Sequence, residues 1–531
     1  MIERAIKPQT NTILPLLTQK CKHLNQFKKI HAQLLKLDLI QDPAAVAPLI
    51  SLAATSADPD FTSYAHAVFQ NLRHRTTFLY NNMIRGYMQS NLPIPAILCY
   101  KDMLTEGLIR NNYTFTPLIK ACSMVLREFG YTGLLVHAHV IKLGFWSDQF
   151  IASALIEIYA LNLDMSKAQE LFDEIPVRDV VLWTAMIDGY GKTGDVEKAR
   201  QLFDEMPESN VISWSAIMAA YSRANDFREV LCLYRRMEDI GVKPNESILV
   251  SALTACADLG ALAQGLWIHS YAKRYRYNSN PILATALVDM YSKCGCVQLA
   301  LSVFEEIHSK DSGAWNAIIS GVAMNGDAVK SLELFDNMIL SGTQPTEATF
   351  VAILTACTHG KLVDKGLSLF KKMHKVYNVE PRTEHFACVV DLLARSGKVE
   401  EAEKFVNEIG EVDANVWGAL LGACRIYGKV DTGNTLWRKI AEKGIADYGT
   451  HVLAYNMYKE AGWDDEAKRV RSLIKERQMK KKPGCSAIEV NGIVEEFIAG
   501  NISHPQGENI CKMLDFLLCN DSSAIQLYEY G

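Results

Sequence analysis

The chain lacks the long apolar runs, the basic charge excess and the flexible linkers that characterise several common classes of protein. Its 531 residues contain no run of about 18 or more apolar residues, which argues against a membrane span and predicts a soluble protein. Its 60 acidic residues outnumber its 55 Lys and Arg residues, so the net charge of -5 gives no bulk support for nucleic-acid binding. Because no Gly-, Ser- or Pro-rich linker divides so long a chain, we expect a stacked solenoid rather than separate globular domains.

Two motifs required for zinc-dependent deamination of cytidine are also missing from the sequence. That chemistry needs His-x-Glu and Cys-x-x-Cys, since the His and Cys side chains hold the metal and the Glu transfers protons. None of the 13 histidines is followed two residues later by Glu, and none of the 13 cysteines belongs to a Cys-x-x-Cys pair. The sequence therefore predicts no catalytic residue, no metal ion and no cofactor.

The most prominent feature that the sequence does contain is a phrase that recurs at fixed spacing. "AQELFDEIPVRD" spans residues 168–179, and "ARQLFDEMPESN" spans residues 199–210, 31 residues later. Such self-similarity is typical of repeat architectures. The spacing divides the chain into units, most of them 31 or 35 residues long, which begin at residues 77, 112, 149, 180, 211, 246, 281, 312, 347 and 383.

Each unit carries the pattern of two antiparallel helices. In unit 211–245, two apolar stripes with helical spacing flank a polar break around residues 223–226. Gly241 and Pro244 are expected to close the second helix, because Gly supplies a left-handed cap and Pro cannot continue the hydrogen-bond ladder. One helix pair cannot bury its own apolar stripe, so the units are expected to stack into a continuous core.

Several side chains with chemical potential are better interpreted as structural. Cys122, Cys256, Cys357 and Cys424 each follow Ala at the same point of their unit, which predicts reduced thiols packed as small apolar groups. His137 and His139 share the apolar stripe of a second helix and are expected to be satisfied core histidines.

Three short segments need a separate interpretation. "GYGKTG" at residues 189–194 matches a nucleotide-binding pattern but does not follow a strand, so we interpret it as the end of a first helix. "KCGC" at residues 293–296 lacks the spacing of a zinc site and is assigned to a turn. The alternation over residues 486–500 predicts a β-hairpin whose tight turn is Asn491-Gly492.

The alternating lengths and phrases, such as "WSAIMAAYSRAND" and "TALVDMYSKCGC", resemble the P, L and S motifs of the plant pentatricopeptide repeat family over residues 11–413. Residues 414–481 resemble that family's degenerate E-type motifs. Residues 482–531 resemble the opening of its DYW deaminase domain, with Ala487 where the family has Trp, and residues 1–10 form a poor or partial transit peptide. The resemblance implies an all-α fold, a right-handed α-solenoid of stacked helix pairs. The alternative is a tetratricopeptide scaffold, whose repeat length stays near 34.

Two positions in each unit are polar often enough to form a recognition surface. A helical repeat of this class recognises one exposed base with two or three side chains, and we assign these to the fifth and last residues of each unit. Small polar side chains also cap helices, so capping is the alternative explanation for any single pair. The seven pairs are Asn81 with Asn111, Thr116 with Asp148, Ser153 with Asp179, Thr184 with Asn210, Ser215 with Asn245, Thr285 with Asp311, and Asn316 with Thr346.

The chemistry of these side chains predicts a base sequence. Ionised Asp accepts hydrogen bonds and suits the ring N–H of guanine or uracil, whereas Asn can donate to the ring nitrogen of adenine or cytosine. A short Ser or Thr at the fifth position leaves room for a purine, and a longer Asn reaches a pyrimidine, as in the family's recognition code. From residue 77 the predicted order is pyrimidine, any, G, A, A, any, G, pyrimidine. Thr116 and Asp148 favour guanine by the same logic, but L motifs of the family follow the code poorly, so no base is assigned to unit 112–148. Val250 leaves unit 246–280 without a base. The apolar second residues could sandwich these bases, and ordinary packing in the first helical turn is the alternative explanation for them; they are Phe78, Tyr113, Phe150, Val181, Ile212 and Ile282.

The resemblance implies a non-enzymatic, monomeric factor that binds single-stranded organellar RNA, in the mitochondrion or alternatively the chloroplast. Its E-type motifs indicate site recognition for C-to-U editing with a deaminase and other editing factors recruited in trans, and no membrane partner. A stability, processing or splicing factor is the alternative within RNA binding, and a protein-binding scaffold is the alternative outside it. The basic run at residues 468–482 could contact phosphates, but a solvated last helix is favoured.

Overall fold

Helix pairs follow one another along nearly the whole described chain. The computed structural model describes residues 24–56, 59–125, 132–277, 280–409, 414–477, 479, 484–490, 493–498 and 506–520. The predicted turn Asn491-Gly492 and the amino-terminal lead lie outside these residues. No helix among the described residues has both the length and the apolarity to cross a membrane.

The helices and strands have the following bounds: α1 Leu24–Lys36, α2 Pro43–Thr55, α3 Pro59–Gln70, α4 Thr77–Gln89, α5 Pro93–Thr105, α6 Asn112–Met124, α7 Thr132–Lys142, α8 Gln149–Leu161, α9 Met165–Glu174, α10 Val180–Thr193, α11 Val196–Glu205, α12 Val211–Arg223, α13 Phe227–Asp239, α14 Glu246–Leu259, α15 Leu262–Arg274, α16 Pro281–Lys293, α17 Val297–Glu306, α18 Ser312–Met324, α19 Ala328–Leu340, α20 Glu347–His359, α21 Val363–Lys375, α22 Thr383–Arg395, α23 Val399–Ile409, α24 Ala414–Ile426, α25 Val430–Glu442, α26 Tyr448–Glu460, α27 Asp464–Glu476, β1 Cys485–Val490, β2 Ile493–Ile498 and α28 Gly507–Asn520.

The helix boundaries confirm the register of the repeat. Every unit from residue 77 to residue 383 starts at the first residue of a helix, which we call the first helix of that unit. The chain folds into two compact parts, Met1–Asp226 with Met237–Lys243, and Phe227–Arg236 with Pro244–Gly531. Within the first part α4, α6, α8, α10 and α12 contact one another in succession, and within the second part α14, α16, α18, α20, α22, α24 and α26 do the same.

The recurring phrase supplies an aromatic contact between successive units. Its Phe, on a second helix, packs edge to face against the Trp on the next first helix. The ring centroids lie 5.0 Å apart for Phe172 and Trp183, and 4.7 Å apart for Phe203 and Trp214. Trp214 is only 1% exposed, so its ring belongs to the core. Because aromatic pairs add stability beyond their buried area, this contact explains why the phrase repeats.

The turns between helices follow the predicted chemistry. Gly241 adopts φ +77°, and Gly194 caps α10 with φ +88°, both in the left-handed region. Gly191, within "GYGKTG", faces Ala220 so closely that a Cβ would collide with it. This motif therefore ends a helix and permits close packing, as the sequence predicts.

The predicted burial of the four cysteines is confirmed, whereas His137 and His139 are hydrogen-bonded as predicted but lie half-buried rather than in the core. Each of the four Cys residues that follow Ala is at most 1% exposed, and burial raises the pKa of the Cys357 thiol to about 11. His137 forms a hydrogen bond with the Tyr159 hydroxyl of the next unit, and His139 does so with Tyr100 at 2.9 Å. Burial lowers the pKa of both histidines.

The carboxyl-terminal tail contains the predicted hairpin. Strands β1 and β2 pair antiparallel, with Cys485 opposite Ile498 and Val490 opposite Ile493. Helix α28 follows, and its exposed side chains include several large apolar ones: Met513, Leu514, Phe516 and Leu517.

Candidate nucleic-acid interface

The last residues of the seven predicted pairs share one structural role: each stands at the N-cap of the next first helix. The residues are Asn111, Asp148, Asp179, Asn210, Asn245, Asp311 and Thr346. A side-chain oxygen at this position satisfies backbone N–H groups that the helix leaves without partners. Capping therefore accounts for part of the preference for small polar residues here.

Capping leaves functional groups of these side chains for other contacts. Asn245 accepts the N–H of Ile248 through Oδ1 at 3.0 Å, which uses the oxygen and not the Nδ2 donor. In the same way Asp179 accepts the N–H of Leu182 through Oδ1 at 2.9 Å. A side chain fixed in this manner presents an amide donor or a second carboxylate oxygen in a constant orientation, which is what discrimination between bases requires.

Two pairs of fifth and last residues are bonded directly. Asn81 donates from Nδ2 to Oδ1 of Asn111 at 2.9 Å, and Asn316 donates from Nδ2 to the Thr346 hydroxyl at 3.0 Å. The two predicted positions of these units are therefore neighbours in space, although 30 residues separate them in sequence.

Each of these two clusters contains a third residue, which was not predicted from the sequence. The Thr114 hydroxyl donates to Oδ1 of Asn81 at 2.7 Å, and the Thr349 hydroxyl donates to Oδ1 of Asn316 at 2.6 Å. Both Thr residues occupy the third position of their unit and complete a capping box with the last residue of the unit before. Thr three residues after a polar N-cap was the signal that could have revealed them.

Three of the Ser and Thr residues at the fifth position bond to their own helix. The hydroxyls of Ser153, Thr184 and Thr285 donate to the backbone oxygen four residues earlier, at 2.7, 2.6 and 2.9 Å. Such bonding fixes the hydroxyl and leaves its lone pairs as acceptors. The side chain stays short, consistent with room for a purine.

The six apolar second residues are exposed rather than packed in the core. Their exposed fractions range from 48% for Val181 to 74% for Tyr113. Exposed aromatic and aliphatic side chains next to polar ones are suited to stacking against bases. First-turn packing, the alternative explanation for these residues, does not describe their surroundings.

A cleft in the first part of the chain lies on the side of the predicted residues. Its volume is about 630 Å³, and Thr116 and Ser153 both line it. Three cations also line it, and Lys192 among them pairs with Asp188 at 2.7 Å. Single-stranded nucleic acid needs both base-facing groups and cations for its phosphates, and this cleft offers both.

The remaining units depart from the polar pattern. Val250 and Val351 occupy the fifth position of their units, and Arg382, at the last position of unit 347–382, forms an ion pair with Glu347 at 2.6 Å. In the next two units the fifth residues are Ala387 and Gly418; Asp413, paired with Ala387 in sequence, lies outside the described residues. The apolar fifth residues of these units offer no side-chain hydrogen bond to a base.

Neither the turn "KCGC" nor any other described segment assembles a metal centre. Cys294 and Cys296 flank Gly295, whose φ is +79°, in the turn between α16 and α17. Across the described ranges no group of three or more His, Cys, Asp or Glu side chains could hold a metal ion.

Family models match most of the array and part of the tail. The PPR repeat matches residues 150–180, 181–211, 212–242, 283–312, 313–343, 348–376 and 385–412. Each matched segment begins one or two residues inside the corresponding unit. The PPR repeat family matches residues 75–124, and the E motif matches residues 427–489.

Curated relatives are similar over almost the full chain. A pentatricopeptide repeat-containing protein of Arabidopsis thaliana is 45% identical over 493 residues, 93% of this chain and 79% of the relative. A putative chloroplastic one is 41% identical over 96% of this chain and 94% of its own length. A mitochondrial one is 35% identical over 96% of this chain and 89% of its own length.

Solved structures agree on the fold. The crystal structure of the pentatricopeptide repeat protein PPR10 from maize superposes with a TM-score of 0.55 at 16% identity, covering 88% of this chain and 80% of that one. A structure of PPR10 in complex with an 18-nt psaJ RNA element gives a TM-score of 0.50, covering 89% of this chain and 74% of that one.

Proposed function

We propose that this chain, which belongs to the pentatricopeptide repeat family, binds one single-stranded organellar RNA and selects a cytidine in it for C-to-U editing. It is a helical-repeat protein and not an enzyme, so the editing chemistry is supplied by a deaminase in trans. RNA binding is supported by the family and by the RNA complex of PPR10.

The recurring junction between units is the observation that carries the proposal. A capping residue and the fifth residue of the preceding first helix meet directly in the Asn81–Asn111 and Asn316–Thr346 pairs. Polar pairs occupy these two positions in seven of the units, as recognition of one base per unit requires. A protein-binding scaffold would need the cap at each junction but not a polar fifth residue beside it.

The bases follow from the chemistry of each pair. With the amino end toward the RNA 5′ side, units from residue 77 to residue 346 take pyrimidine, any, G, A, A, any, G and pyrimidine. Unit 246–280 recognises no base because Val250 offers no hydrogen bond.

Recruitment of the deaminase is assigned to the carboxyl-terminal region. We divide the chain into an amino-terminal lead at 1–10, a recognition array at 11–413, E-type units at 414–481 and a DYW-like opening at 482–531. The E motif match over residues 427–489 supports this assignment. The fifth residues Gly418 and Val452 of the E-type units are apolar, which suits contact with protein better than contact with a base.

An organellar location is supported by relatives described as chloroplastic and as mitochondrial. We assign the mitochondrion, with the chloroplast as the alternative.

Organellar cDNA compared with genomic sequence in a loss-of-function plant tests the editing function. One or a few cytidines should lose editing, and each should lie shortly 3′ of a sequence that fits the predicted bases. Altered transcript abundance or splicing with every site still edited would contradict the proposal.

Truncation separates recognition from recruitment. A chain ending at residue 413 should keep its RNA affinity in vitro and fail to restore editing in the plant, because the assigned base contacts all lie upstream. Loss of RNA affinity in this variant would instead place the E-type units on the binding surface.

A further inference from the structure

Glu489 of the carboxyl-terminal hairpin is hydrogen-bonded to the middle of the array. The N–H of Ala263 donates to Oε2 of Glu489 at 2.8 Å, and the N–H of Gln264 donates to Oε1 at 3.0 Å. Glu489 belongs to β1 and Ala263 to the first turn of α15, and 226 residues separate them. Both lie in the second compact part of the chain.

The two amides that bind Glu489 have no partner within their own helix. The first N–H groups of a helix point beyond its end and carry partial positive charge, which a carboxylate neutralises. At the corresponding position of three other second helices, Asp164, Asp195 and Asp327 cap their own helix. Helix α15 has Ala261 there and no acidic residue in its first turn, so Glu489 provides the cap from the tail.

The alternation of β1 aims Glu489 at the array. Its neighbours Ile488 and Val490, which are 53% and 49% exposed, lie on the opposite face of the hairpin because successive side chains of a strand alternate. Ala261, beneath the contact, is fully buried. Glu489 therefore lies on the face of β1 that meets the first turn of α15.

We propose that Glu489 is a positioning residue that latches the hairpin to the second helix of unit 246–280. The tail then has a fixed place on the array before any partner or RNA binds. Glu489 binds unit 246–280, to which no base is assigned, so the latch does not compete with base recognition. In consequence, and resting on the proposed editing function, the latch fixes which cytidine a tail-bound deaminase can reach.

Hydrogen–deuterium exchange of the full chain, resolved to single amides by mass spectrometry, tests the latch. In the wild type the Ala263 and Gln264 amides should exchange at least tenfold more slowly than in Glu489→Ala. Gly265 is an internal reference, because its N–H donates to Ala261 O within the turn at 3.0 Å and should exchange equally in both. Glu508→Ala, which removes an exposed acid from the first turn of α28, should match the wild type.

If the Ala263 and Gln264 amides exchange at the same rates in Glu489→Ala as in the wild type, the latch is overturned. Glu489→Gln, which keeps one acceptor and removes the charge, should give an intermediate rate. Unfolding of Glu489→Ala would show as faster exchange throughout the chain, and the Gln variant then decides.

Complementation of the loss-of-function plant tests the positioning role. Glu489→Ala should reduce editing of the target cytidine several-fold at unchanged RNA affinity, and Glu508→Ala should not. Wild-type editing by Glu489→Ala would overturn the positioning role. If the wild-type chain itself restores no editing, the proposed function fails, while the exchange experiment still decides the latch.

Discussion

Asn81 donates a hydrogen bond to Asn111 at 2.9 Å, so the fifth residue of one first helix and the cap of the next act as one cluster. The same relationship between Asn316 and Thr346 shows that it belongs to the repeat and not to one unit. Under the proposed function a base at such a junction would meet both side chains at once, so exchanging either one is expected to change the preferred base.

Asn245→Asp is expected to move the preference at its base from adenine toward guanine. Asp accepts where Asn can donate, and a well-made base contact is worth about 1–3 kcal/mol. The cap uses Oδ1, which Asp retains, so the free energy of unfolding should change by less than about 0.5 kcal/mol. Binding to single-base RNA variants measures the shift. Wild-type affinity with unchanged preference would show that Asn245 only caps its helix.

Asn81→Thr is expected to change the preference at the base facing unit 77–111 from a pyrimidine to adenine. The substitution creates the Thr and Asn combination that unit 180–210 already has in Thr184 and Asn210. The preference should shift by about 1–3 kcal/mol. RNA variants at the base facing unit 312–346 serve as the control and should bind both proteins alike; a shift there, or none at the first base, would contradict the register.

Phe150 and Phe172 form a matched pair within one unit. Phe150 is 66% exposed and is assigned to base stacking, so Phe150→Ala should weaken RNA binding by about 1–3 kcal/mol. The same substitution should leave the free energy of unfolding unchanged. Phe172 is 2% exposed and packs on Trp183, so Phe172→Ala should lower the free energy of unfolding by about 3–5 kcal/mol. Thermal melts and RNA titrations of both variants check this. Unimpaired RNA binding by Phe150→Ala would remove it from the interface.

Protonation of His269 should lower the stability of the folded protein in acid. It forms a hydrogen bond with the Tyr291 hydroxyl at 2.7 Å, and its pKa is lowered chiefly by burial and further by Lys273, against an opposing effect of Glu306. A lowered pKa means that the folded chain binds fewer protons than the unfolded chain. The contribution of His269 to the stability of the folded chain is therefore fully present above the unfolded pKa of about 6.5. This contribution is lost as the pH falls below that value.

Melting temperatures at pH 7.5 and pH 5.5 check this expectation. His269→Gln should lose less stability between the two than the wild type does, because the group that takes up the proton on unfolding is gone. His308→Gln, at an exposed position of the next unit, is the control and should behave like the wild type. An unchanged difference in His269→Gln would show that other groups govern the acid response.

Local chemistry made the array predictable from the sequence. The Asp, Asn and Thr caps, the apolar stripes and the turn glycines each act within a few residues, and together they placed the start of every first helix correctly from Thr77 to Thr383. The hairpin at Cys485–Ile498 was predictable for the same reason, since alternation and a turn sequence are local signals.

Contacts between distant segments left no such signal. Nothing in β1 indicates that Glu489 would meet α15, because any exposed acid could do so and only the folded stack brings the two together. Base recognition by the polar pairs stays a prediction, because capping alone also favours those residue types.

The last residue of a unit caps a helix and is also proposed to contact a base, and this double role has an evolutionary consequence. Asn, Asp and Thr all occupy the N-cap in this chain, and all three are good caps. Under the proposed function, a mutation from one to another would alter hydrogen bonding toward a base while the helix start stays intact. The preferred transcript can therefore drift by single substitutions at nearly constant folding stability, so new targets become accessible without an unstable intermediate.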